Sequence, residues 1–81
     1  MYPVVTSVSP ATGYVLQLRF DNGETGLLDM TPYLDFGVFN NLKDKENFKK
    51  VKIAFDTLEW PCGVDLDPEF VYQKAVKRAV E

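Results

Sequence analysis

The stretch Leu58-Glu59-Trp60-Pro61-Cys62-Gly63-Val64-Asp65-Leu66-Asp67-Pro68 decides how the rest of the chain is read. Its first three residues suit a strand, and Pro61 ends that strand because proline has no N–H to give a ladder. Gly63 supplies the freedom for a tight reversal. A short extended piece follows. Asp67-Pro68 then signals a helix start, with a carboxylate N-cap and proline at the first helical position. The sole Trp, the sole Cys and the densest run of carboxylates fall in this segment, so any site is sought here first.

Downstream, Tyr72, Ala75, Val76, Ala79 and Val80 share one side at helical spacing, which predicts a C-terminal helix over 68–80. Glu69 in its first turn and Lys74, Lys77 and Arg78 toward its end suit the helix dipole. Immediately upstream, Val51, Ile53 and Phe55 alternate with Lys52 and Ala54 as a strand. A tight turn at Asp56-Thr57 sets Phe55 opposite Leu58 and Ile53 opposite Trp60. Asp44 caps a segment over 45–50 whose Phe48 points inward. Thr31-Pro32 opens a short helical turn with the Thr31 hydroxyl as N-cap, Gly37 ends it, and 39–42 forms a further turn.

The N-terminal third reads as strands. Pro3 to Ser9 is rich in Val and Thr and flanked by prolines at 3 and 10, which suits an edge strand. After a turn at Ala11-Thr12-Gly13, Tyr14, Leu16, Leu18 and Phe20 alternate with Val15, Gln17 and Arg19 as a half-buried strand. Asn22-Gly23 is a strong hairpin signal. A two-residue turn there pairs Phe20 with Thr25 and Leu18 with Leu27, keeping Leu27 on the core face and turning Leu28 away. A bulge near Gly26, or a cover for the second face, would reconcile the two leucines. The sum is one α+β domain over 1–81: a small antiparallel sheet of an N-terminal strand plus two hairpins, packed with short helices and the C-terminal helix.

Composition narrows function. At 81 residues the chain needs its 11 aromatics for a core before any are spared for stacking on a ligand. A net charge of −3 does not draw the whole molecule to nucleic acid or anionic lipid. One Cys excludes an internal disulfide, and the lack of His removes the usual transition-metal and Cys-His arrangements. The N-terminus has neither the basic region nor the apolar run of a signal peptide, and no stretch approaches a membrane span. A reduced, cytoplasmic setting is expected.

Each candidate site has a plain structural reading beside it. Glu59, Asp65, Asp67 and Glu69 offer oxygens for Mg²⁺ or Ca²⁺. Capping by Asp67, a dipole-facing Glu69 and an Asp65 carboxylate bonding turn amides account for them better, so no metal or cofactor is assigned. Cys62 lies upstream of a helix N-terminus, but nothing in the sequence positions a base to activate it, so no catalytic residue is named. Lys43, Lys45, Lys49, Lys50 and Lys52 form a basic run that could contact phosphates. Asp44 and Glu46 interrupt it, and a solvated helix face is the preferred account. The edge strand 3–9 could pair with a second chain, as a homodimer or with a partner.

Specific residues carry a family likeness: Tyr2-Pro3, Phe20-Asp21-Asn22-Gly23-Glu24, Asp29-Met30-Thr31-Pro32-Tyr33-Leu34, Gly37-Val38-Phe39 with Leu42, and Trp60-Pro61 through Gly63-Val64-Asp65-Leu66-Asp67-Pro68 with Tyr72. In these the chain resembles the small bacterial proteins of domain-of-unknown-function family 2442. The W-P-x-G-x-D-L-x-P pattern is the most specific part, and Cys62 stands where a small polar residue such as Asn or Gly is expected. The resemblance implies a short, non-enzymatic α+β protein without assigned catalytic residues. Some relatives resemble fusions to a helix-turn-helix, and others look like genetic neighbours of a second small protein of unknown function. This chain ends after one helix and is read as lacking the DNA-binding part.

These readings lead to a non-catalytic interaction or regulatory protein, an antitoxin-like partner of another small protein. Trp60, Pro61, Gly63, Asp65, Asp67, Pro68 and Tyr72 are its signature. The alternative is a nucleic-acid-binding accessory protein using the 43–52 lysines.

Overall fold

The structure is a computed structural model that describes residues 3–54, 57–61 and 63–78. Readings that rest on Tyr2, Phe55, Asp56, Cys62, Ala79 and Val80 lie outside those residues. The first three strands are β1 (Val5–Pro10), β2 (Val15–Phe20) and β3 (Thr25–Asp29). Two 3-10 segments, Thr31–Tyr33 and Gly37–Lys43, lead to the short helix α1 (Lys45–Phe48). Then come β4 (Lys52–Ala54), β5 (Thr57–Glu59), α2 (Pro68–Lys74) and β6 (Val76–Arg78). The class is α+β, as expected. The strands form two antiparallel sheets rather than one: β1-β2-β3-β6 and β4-β5.

The alternation in β2 buries Leu16, Leu18 and Phe20, and the hairpin that follows corrects the predicted register. Leu18 pairs with Gly26 and Leu16 with Leu28, one residue off the two-residue scheme. The Phe20 amide donates to the Glu24 carbonyl at 2.9 Å and the Gly23 amide to the Phe20 carbonyl at 3.0 Å, closing a three-residue loop with Gly23 at φ 90°. Asn22 fixes this choice, since its side-chain oxygen accepts the Glu24 amide at 3.0 Å. A one-residue shift turns every side chain over. Leu28 is therefore the core residue, 1% exposed, and Leu27 is the outward one at 49%.

The 58–66 stretch repeats this solution. The Trp60 amide donates to the Val64 carbonyl at 2.8 Å and the Gly63 amide to the Trp60 carbonyl at 3.0 Å, with Gly63 at φ 92°. Glu59 bridges Asp65 and the Leu66 amide reaches the Leu58 carbonyl, so 64–66 runs back along β5. Asp65 is thus held through its backbone, not by a carboxylate bonding turn amides as the sequence had suggested. The β4–β5 register is also corrected: Ile53 faces Leu58, not Trp60, and Ala54 faces Thr57. The buried Thr57 hydroxyl donates to the Leu66 carbonyl at 2.7 Å, which draws Thr57 into the ladder.

The predicted helix over 68–80 stops at Lys74. Asp67 caps it through the Glu69 amide at 2.8 Å, as read from the sequence, but Ala75 is extended and Val76–Arg78 becomes the strand β6 beside β3. A free edge on β3 leaves its amides and carbonyls without ladder partners, and β6 supplies them. Gly26 makes the approach feasible: a Cβ there would lie 3.2 Å from the Ala75 Cβ and 3.3 Å from the Val76 carbonyl. Lys77 still serves the end of α2, because its Nζ folds back to the Tyr72 and Ala75 carbonyls.

The helix starts differ in part. Asp44 caps α1 through the Glu46 amide at 2.9 Å, as expected. At Thr31, by contrast, the N-cap residue is Met30, without a side-chain cap, and the Asp29 carboxylate just before it accepts the Thr31 amide at 2.9 Å. The Thr31 N–H, with its hydroxyl, holds the Asp29 carboxyl below its ordinary value. Gly37, at φ 51°, opens the second 3-10 segment rather than closing the first. One core joins both sheets to these turns, with Phe20, Leu28, Met30, Leu42, Phe48, Leu58, Trp60 and Val71 at its centre.

Candidate functional site

The signature residues divide into supports and one surface. Trp60 is fully buried, and its indole N–H donates to the Phe48 carbonyl at 2.9 Å, tying the Trp60 loop to the end of α1. Pro61 and Gly63 form the reversal, while Asp67 and Pro68 start α2. Tyr72 packs edge-on against Phe20 at 5.1 Å and donates its hydroxyl to Glu24 at 2.6 Å. That bond, ahead of the one from Asn22, lowers the Glu24 carboxyl pKa and raises that of Tyr72. The Lys77 ammonium sits 4.2 Å above the Tyr72 ring.

Asp65 and Asp67 lead to a feature the sequence did not disclose. In the extended Asp65-Leu66-Asp67 segment, neighbours point to opposite faces. Leu66 turns into the core, while both carboxylates stay exposed. Asp65 and Asp67 border a hollow of about 350 Å³ whose other lining residues are Tyr33, Phe36, Phe39, Leu66 and Phe70. Its exposed lining is almost wholly carbon. Tyr33 meets Phe70 edge to face at 5.2 Å, which fixes the floor. Phe36 and Val38, 65% and 61% exposed, lie on either side of Gly37. Three of the four aromatics come from 33–39. The apolar run Phe36-Gly37-Val38-Phe39 within a short turn was the available signal, and it reads as packing unless 65–70 is known to lie opposite.

The other candidates do not assemble. Glu59 and Asp65 oppose each other across a backbone bridge, Asp67 caps α2 and Glu69 lies in its first turn. Among the described residues no three acidic or Cys side chains gather where a metal could sit. The lysines do not form the solvated helix face expected of them, because α1 spans four residues and the run extends beyond it. Lys43 pairs with Asp35 at 2.5 Å, and Lys45 lies 5.8 Å from the Tyr14 ring. Lys49 flanks a small hollow beside Thr12 and Gly13, while Lys50 and Lys52 are exposed beyond it. β1 is an edge strand, as read, but its register shifts between Val5 and Ser7, and β4 and β5 pack against it. Among the described residues no helix is long and apolar enough to cross a membrane.

These features define a small α+β protein in which two three-residue hairpin loops hold a core and a pair of 3-10 turns presents an aromatic hollow. It belongs to the family described as protein of unknown function (DUF2442), whose pattern matches residues 5–77. No curated protein and no solved structure matches the chain.

Proposed function

We propose that this chain is a non-catalytic protein-binding module, an antitoxin-like or regulatory partner of another small protein in the cytoplasm, and that the Tyr33–Phe36–Phe39–Phe70 hollow is its contact surface. The observation that carries the reading is the exposure of Phe36 and Val38 beside a preformed apolar hollow. Large apolar side chains grouped at a surface cost solubility and are typical of a surface that is covered in use.

Coexpression with the product of the adjacent gene, followed by size-exclusion chromatography, tests this. A stable complex with the wild type that is lost in Phe36→Ser is expected. Phe36 is mostly exposed, so the substitution should change stability by less than about 0.5 kcal/mol, and a thermal melt verifies that. No complex, or one indifferent to Phe36→Ser, overturns the proposal.

A further inference from the structure

We infer that the hollow accepts a segment of a different protein that inserts an arginine beside an apolar side chain. This rests on the binding reading above and specifies the partner's chemistry. The walls supply aromatic rings, and Asp65 and Asp67, two residues apart in an extended segment and both exposed, border them. Among the described residues neither Asp65 nor Asp67 forms an ion pair. Asp67 commits one oxygen to the Glu69 amide. A carboxylate has about four acceptor sites, so capacity remains for an incoming donor. A guanidinium suits this mixture because it stacks on rings and bonds carboxylates in a fork, which a compact ammonium cannot do.

A second copy of the chain fits less well. A two-fold dimer places the same patch on both sides of the contact, which brings acidic rim against acidic rim. Seating the hollow on some other part of a second copy instead gives a head-to-tail contact that need not close. The complement of an apolar floor with an acidic edge is an apolar side chain with a basic neighbour. The occupant therefore comes from another chain.

Selection of a phage-displayed random dodecapeptide library on the intact protein tests the inference, with enriched peptides measured by fluorescence anisotropy. Peptides with Arg next to Leu, Ile, Phe or Trp are expected. Affinity should fall about three- to tenfold in the double variant Asp65→Asn, Asp67→Asn, and by a similar factor between 50 and 500 mM NaCl. Asn keeps the α2 cap, so the double variant should stay folded, as a melt verifies. Enriched peptides without a cation, or affinity unchanged in the double variant, overturn the arginine inference. The hollow itself stands in that case if Phe36→Ser still abolishes binding. Peptides that bind Phe36→Ser as well as wild type, or no enrichment at all, overturn both. Concentration-dependent dimerisation of the free chain that Phe36→Ser removes assigns the surface to a second copy and overturns the inference.

Discussion

Replacing Trp60 with Phe should cost a large share of the stability of this chain. The indole N–H is the partner of the Phe48 carbonyl, at 2.9 Å in a fully buried setting. Phe48 is the last residue of α1, where the helix itself offers its carbonyl no amide. Deleting the donor strands that carbonyl, at about 1–3 kcal/mol. The smaller ring leaves a void of roughly 40 Å³, which at about 24 cal/mol per Å³ adds about 1 kcal/mol. The sum is about 2–4 kcal/mol, against a total of roughly 4–12 kcal/mol for a domain of this size. With a urea slope of about 1 kcal/mol per M the midpoint should fall by about 2 M or more, and Tm by about 10–30 °C. Trp60 is the sole tryptophan, so the comparison needs far-ultraviolet circular dichroism rather than fluorescence. The wild type offers a second check, since its single indole proton should exchange slowly with solvent. A loss under about 1 kcal/mol, or a freely exchanging indole proton, would refute the reasoning, because either shows that the bond is absent or wet.

Three further outcomes follow from the same geometry. The Tyr72 hydroxyl is the main cause of the lowered Glu24 pKa, with Asn22 next and desolvation opposing. Because the folded value lies below the unfolded one, the stabilisation is complete above about pH 4.5 and is lost as pH falls through the native value. A carbon-13 titration should therefore place the Glu24 inflection below 4.5 in the wild type and move it upward in Tyr72→Phe; an unmoved inflection assigns the shift elsewhere. Asp67→Ala should lower stability by about 1 kcal/mol and Asp67→Asn by far less, and equal losses in urea titrations would deny Asp67 its capping role. Gly26→Ala should destabilise by about 1 kcal/mol, since crowding against Ala75 and Val76 outweighs the entropy gained in the unfolded chain. A variant as stable as wild type would mean that β6 sits further from β3.

Local chemistry alone determined a good deal here. The alternation of Leu16, Leu18 and Phe20, the Asp44 and Asp67 caps and the reversal at Gly63 were legible because each depends on neighbours within a few residues. The same residues, with the family likeness, carried the α+β class. Other features depended on partners far away in sequence. Val76 to Arg78 fit a helical stripe as well as a strand, and the open edge of β3, reached across Gly26, decided between them. Leu27 and Leu28 exchanged places because the Asn22 side chain and the left-handed Gly23 set a three-residue loop, and one residue of register inverts a strand. The aromatic hollow was the least legible feature. Its rings come from 33–39 and 70 and its carboxylates from 65 and 67, segments that meet only when the core closes. A sequence pattern records spacing along the chain, whereas a groove is a relation between surfaces that folding alone brings together.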